Sequence, residues 1–164
     1  MEGNKLEKNK LLKRTGSILG KIVVGVSIFI IVAFVVLICI IIIPLPISVK
    51  NAEVNYQTSQ IFTREDMDEA IAVVKDEFKE MDCFEGCKMD KIVYDGDETS
   101  LRELESLKER NLDYDECILF KTYYTRSKIA CFKDSWGPEE GMFIFWLGRK
   151  DGGNWGIVSS GTGY

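Results

Sequence analysis

The chain has 164 residues, 46% of them hydrophobic and 29% charged, and the two kinds are segregated. Residues 22–43 carry no charge; residues 1–21 hold six Lys/Arg against Glu2 and Glu7; residues 44–164 hold 15 Lys/Arg against 24 Asp/Glu, a net −9. There is no histidine, which removes the commonest general base and the commonest metal ligand, and −9 on the larger part repels phosphates, so nucleic-acid binding is not expected.

In chain order, residues 1–21 form a basic arm with Lys5, Lys8, Lys10, Lys13, Arg14 and Lys21. The run IVVGVSIFIIVAFVVLICIIII at 22–43 follows. As a helix it spans about 33 Å against a hydrocarbon core of about 30 Å. Its Ile and Val suit strands, but strands are far shorter, and an isolated segment in lipid satisfies its backbone only as a helix. Pro44 and Pro46 end it. The length exceeds a signal-peptide apolar stretch. Cys39 follows Ile38 deep in the run and so does not suit lipid attachment, and no glutamate opens the run as in pilins. The expectation is an uncleaved, single-pass transmembrane helix in the cell membrane, in contact with the lipid bilayer. The Lys/Arg excess on its N-terminal flank places the N-terminus in the cytoplasm and the C-terminal part outside.

Residues 44–62 are polar without clear periodicity and read as a tether; residues 63–164 read as the outer domain. Thr63-Arg-Glu-Asp66 is a capping box, and Met67, Ile71, Val74, Phe78 and Met81 recur on one helical face. KMDKIVYD, 88–95, reads as a strand ended by a turn at Asp95-Gly96-Asp97, and 99–110 as a second helix with Leu101, Leu104 and Leu107 inward. CILFKTYY at 117–124 is a strand, with 128–132 extending it or forming another. MFIFWLGR at 142–149 and WGIVSS at 155–160 form a hairpin around KDGGN. Helix, strand, helix and three strands predict an α+β fold: two helices packed on a mostly antiparallel four-stranded sheet.

The strand at 142–147 is apolar on both sides, with Met142, Ile144 and Trp146 opposite Phe143, Phe145 and Leu147. A sheet with one solvated face alternates apolar with polar. Both faces are therefore covered, or one forms a pocket or subunit interface.

The succession QIFTREDMDEAIAVVKDEFKEMDCFEGCKMDKIVYD, CILFKTYY and MFIFWLGRKDGGNWGIVSSGTGY over residues 60–164 resembles an uncharacterised family of small secreted or membrane-anchored domains of clostridia and related Gram-positive bacteria. The resemblance implies a cystatin-like or NTF2-like fold, a helix cradled by a curved antiparallel sheet. It implies no activity. Cys83, Cys117 and Cys131 depart from the family's pattern, which has the equivalent of Cys87 alone.

Outside the membrane, Cys83, Cys87, Cys117 and Cys131 are disulfide candidates. The pairings favoured by proximity in sequence are Cys83–Cys87 and Cys117–Cys131. Thiolate catalysis lacks a base, and zinc binding lacks paired C-x-x-C arms. Glu139-Glu140 on a loop do not make opposed carboxylates, the 95–98 acids lack the spacing of a calcium loop, and Gly152-Gly153 is a turn with no helix after it. No cofactor, metal or catalytic residue is assigned. Trp136, Trp146, Trp155 and Tyr164 are the ligand-binding candidates, since flat aromatic faces suit sugars and peptides; Trp146 and Trp155 also read as core neighbours across the hairpin. The expected function is a membrane-anchored extracytoplasmic binding module. Its partners would be a homodimer mate, an envelope protein, a peptide or a cell-wall sugar. A carboxylate-dependent envelope hydrolase and an accessory subunit of a membrane complex are the alternatives.

Overall fold

The computed structural model describes residues 3–134 and 137–162, with side chains from Gly20 onward. Contacts divide the chain into two compact units, Met1–Ile43 and Pro44–Tyr164.

The first unit is one helix, α1 (Gly3–Ile42). Its part Gly20–Ile42, 23 residues, is long and apolar enough to cross a membrane. Large apolar side chains all along it are exposed, among them Phe29, Phe34 and Ile42, which no soluble helix tolerates without a covering partner. The amide of Ile43 donates to Cys39 O at 3.0 Å, the last helical bond before Pro44.

The second unit is α+β. Its elements are β1 (Glu53–Asn55), α2 (Arg64–Glu80), a 3-10 turn (Asp82–Phe84), β2 (Cys87–Tyr94), α3 (Asp97–Glu109), β3 (Glu116–Arg126), α4 (Lys128–Lys133), β4 (Glu140–Arg149) and β5 (Gly156–Gly161). The strands form one mixed sheet in the order β1-β2-β3-β4-β5, with β1 parallel to β2 and the other neighbours antiparallel.

Three expectations are corrected here. The sheet has five strands rather than four. The fifth lies in the stretch read as a tether, where Ser48 also bridges to Lys88 and Ile47, Val49, Ala52, Val54 and Tyr56 pack against the core. This segment holds by apolar burial and edge pairing, not by a periodic pattern long enough to read. Residues 128–132, read as strand, belong to the helix α4. Ser127 caps it by accepting from the Ala130 amide at 3.2 Å, a local bond that outweighs the β-forming tendency of Ile129, Cys131 and Phe132. Leu101 does not point inward: it is 49% exposed, and Ser100 is buried instead, its hydroxyl on the Tyr94 phenol at 3.3 Å.

The capping box of α2 is formed as read. Thr63 Oγ1 accepts from the Asp66 amide, and Asp66 takes the Thr63 amide at 3.0 Å. Met67, Ala70, Ile71, Val74 and Phe78 of α2 lie against one sheet face with Met89, Ile92, Tyr94, Phe120, Phe145 and Leu147. Phe78 and Phe84 stack at 3.8 Å, and Phe84 meets Phe143 edge-on at 5.0 Å. α3 lies on the opposite face, where Leu107 packs with Cys117, Leu119 and Ile144. The two-sided strand 142–147 is thus an interior strand, next to the edge strand β5, of a sheet covered differently on its two sides.

Candidate functional site

The α3 face is only partly covered. β3 presents Cys117 and Leu119 to α3, and β4 presents Met142, Ile144 and Trp146. In the sheet register Leu119 pairs with Trp146 and Trp146 with Ser159. These three therefore form one row leading from under the helix to the sheet edge. A β-bulge between Trp146 and Leu147 admits an extra residue in β5 and brings Val158 to the same face. At the far end Gly148 is packed so closely that a methyl on it would come within 2.7 Å of the Tyr114 ring and 2.9 Å of Val158.

Between the C-terminal half of α3 and β4–β5 lies a cleft of about 360 Å³. Trp146, half-buried, and Val158 and Ser159 form its floor; Glu103, Ser106, Leu107 and Arg110 form its wall. The wall carries both charges: Glu103 lies 3.7 Å from the neighbouring Arg102, and the exposed Arg110 directs its Nε at the Ser106 carbonyl, 3.4 Å away. An apolar indole between an acid and a base, beside β5 at the end of the sheet order, can hold a flat or extended ligand.

Of the two aromatic candidates among the described residues, Trp146 lines this cleft and Trp155 does not. Trp155 is 6% exposed and belongs to the α2 face, with Phe62 edge-on at 5.7 Å and the Arg149 guanidinium 4.4 Å over its ring. It neighbours neither Trp146 nor solvent, because the pair Gly148↔Gly156 sets it across from Arg149, three residues from Trp146 and so on the opposite side of the sheet. That overturns both its role as a ligand contact and its pairing with Trp146. Trp136 and Tyr164 lie outside the described residues. Sequence reading missed Glu103, Ser106 and Arg110; their exposed spacing along α3 was the available signal.

All five cysteines are free thiols. Cys117 cannot pair with Cys131: Cys117 lies opposite Gly148 at one end of β3, while Arg126, opposite Cys87, ends it at the other, about 30 Å along the strand and beyond any disulfide reach. Burial pushes the Cys87 thiol up to about 11, despite Arg126 nearby. Burial and then the Glu103 charge push Cys117 to about 12. Cys83 is exposed on the 3-10 turn, yet desolvation of its sulfur and the Asp82 charge still raise it. None of these three is a poised thiolate.

The carboxylates tell the same story. Among the described residues, every carboxyl that departs from its ordinary range is lowered. Thr63 holds Asp66 down. Lys133 and the Leu45 amide hold Glu85 down. Asp90 and Asp97 lose protons easily in spite of burial, through Lys88 and Thr125 in one case and Ser59, the Gln60 amide and Tyr94 in the other. A general acid needs the opposite shift. Glu139 and Glu140 are exposed. Among the described residues no group of His, Cys, Asp and Glu is arranged to hold a metal ion.

Searches against protein-family models, curated proteins and solved structures returned no match to the chain.

Proposed function

We propose that the protein is a membrane-anchored binding module, with the Gly20–Ile42 helix crossing the cell membrane, the basic N-terminal arm in the cytoplasm and the α+β domain outside. The Lys/Arg excess before the apolar run supports that orientation. The ligand site is the cleft over Trp146, and the favoured ligand is an extended peptide. A peptide strand beside β5 would satisfy the backbone groups at the sheet's end while one apolar side chain entered the cleft. The observation that carries this reading is the half-buried Trp146 flooring a cleft between Glu103 and Arg110. The packing of α2 across one face of the sheet is in keeping with the cystatin-like or NTF2-like resemblance.

A carboxylate hydrolase is disfavoured by the lowered acids. The remaining alternative, an accessory subunit of a membrane complex, would work through the span. The test is a fluorescence-polarisation screen of the fragment Pro44–Tyr164, which has its own core, against peptide and cell-wall muropeptide libraries. Hits weakened at least tenfold by Trp146→Ala, in a variant that stays folded, support the reading. Hits indifferent to that change overturn the site, and retained function after exchange of the span excludes the accessory-subunit reading.

A further inference from the structure

The wall of the Trp146 cleft carries its two charges at a set interval. Glu103 and Arg110, the latter at the C-cap of α3, are seven residues apart. That is two turns along one side of the helix, or about 10.5 Å along its axis. Both lean over the same stretch of sheet: burial raises the Cys117 thiol, Glu103 adds to the rise, and Arg110 opposes it. At about 8 Å, the screening length in physiological salt is shorter than their separation, so the two charges do not cancel.

The printed contacts of both charges are weak. Glu103 meets the neighbouring Arg102 at 3.7 Å, and that arginine side chain is 67% exposed. Arg110 Nε reaches the Ser106 carbonyl of its own helix at 3.4 Å. Exposed pairs of this kind contribute little. Ser106 stands between the two charges, and the register pair Trp146 and Ser159 lies opposite them.

We infer that the cleft selects a zwitterionic stretch of peptide, in which a Lys or Arg meets Glu103 and an Asp or Glu meets Arg110, with an apolar side chain between them over Trp146. This rests on the reading of the cleft as a peptide site. An extended chain covers 10.5 Å in about three residues, so the two charged residues stand about two to four apart. Trp146 supplies apolar contact, while Glu103 and Arg110 determine specificity. An antiparallel neighbour is the more stable partner for β5, and a reversed charge order would then set like charges together. Residues 44–164 carry a net −9, a field that favours cationic ligands. Arg110 is the group on the cleft wall that admits an acidic residue. A neutral sugar would leave both groups unmet.

The experiment is an array of capped hexapeptides with one Leu, one Lys and one Asp on a Ser background, in every order and spacing, probed with the full chain in phosphatidylcholine nanodiscs. The inference expects binders to hold Lys and Asp on either side of Leu in one order, with the opposite order weaker by roughly tenfold. Glu103→Arg combined with Arg110→Glu is to exchange the two orders, and Arg110→Gln alone is to erase the need for Asp. No order preference, or one unchanged by the double variant, with binding still lost in Trp146→Ala, overturns the inference and leaves the cleft a peptide site. Binding of no peptide, or binding indifferent to Trp146→Ala, overturns the peptide reading, and the inference falls with it. A dimer in detergent that Glu103→Arg breaks and the double variant restores would assign the cleft to a second copy and overturn the inference as well.

Discussion

The two faces of the sheet use the same kinds of residue for different ends. On the α2 face Phe78, Phe84, Phe120, Phe145 and Tyr94 are all 1% exposed or less. The aromatic stack and the apolar side chains of α2 and of residues 47–56 pack over that face. On the α3 face Leu107, Cys117 and Leu119 are buried to a similar degree, but Trp146 and Met142 remain half-covered and Tyr123 is 40% exposed. A helix of 13 residues whose inward side chains are Leu104, Leu107 and Ser100 cannot cover three strands. One face is thus given over to the core, and the other keeps an open cleft.

Four perturbations sharpen that contrast, and the closed face is to respond most. Phe78→Ala removes a fully buried ring and its stacking partner's contact; a loss of about 3–5 kcal/mol is expected in urea unfolding of the fragment Pro44–Tyr164. A loss below about 1 kcal/mol would show that the α2 face is not the main core. Gly86→Ala combines a strained φ with overpacking against Ala130 and Leu45, for a loss of about 2–3 kcal/mol. Trp146→Ala, on the open face, is to cost less, about 1–2 kcal/mol, because the indole is only partly buried and part of it already meets water. A larger loss would mean that the cleft is core.

The fourth perturbation is pH. Burial raises the Tyr94 phenol from 10.0 to about 12 and the Cys117 thiol from 9.0 to about 12, one on each face. Both folded values exceed the unfolded ones, so this stabilisation is complete below pH 9 and lost progressively up to pH 12. Asp66, Glu85, Asp90 and Asp97 are lowered, so their contribution is present above about pH 4 and lost as pH falls further. Thermal melts across pH should therefore decline at both ends. A flat alkaline limb would deny the burial of Tyr94 and Cys117. Peptide mapping without reductant is to find Cys117 alkylated after denaturation and never linked to Cys131.

The contrast between faces was partly legible in the sequence. The apolar pattern Met142 to Leu147 marked a strand with no polar face, covered on both sides or facing a pocket or subunit interface. The Thr63–Asp66 capping box and the Met67-to-Phe78 periodicity located α2 because their signals are local. What was not legible depends on distant partners. β1 is three residues long and forms only by pairing with β2. α4 is β-prone in composition and helical by its Ser127 cap. Trp155 looks like Trp146 in sequence, and the hairpin register, which sets Trp155 across from Arg149, puts them on opposite faces. The pairing of Cys117 with Cys131 seemed reasonable until the straight run of β3 set them at its two ends.

The most direct measurement is a ¹⁵N shift map of the fragment Pro44–Tyr164 titrated with the strongest peptide from the screen. The account predicts the largest changes at the Trp146 indole N–H, Ser106 and Ser159, with Trp155 unmoved. Changes centred instead on Arg126 and Cys83, or on Trp155, would contradict the assignment of the open α3 face as the recognition surface.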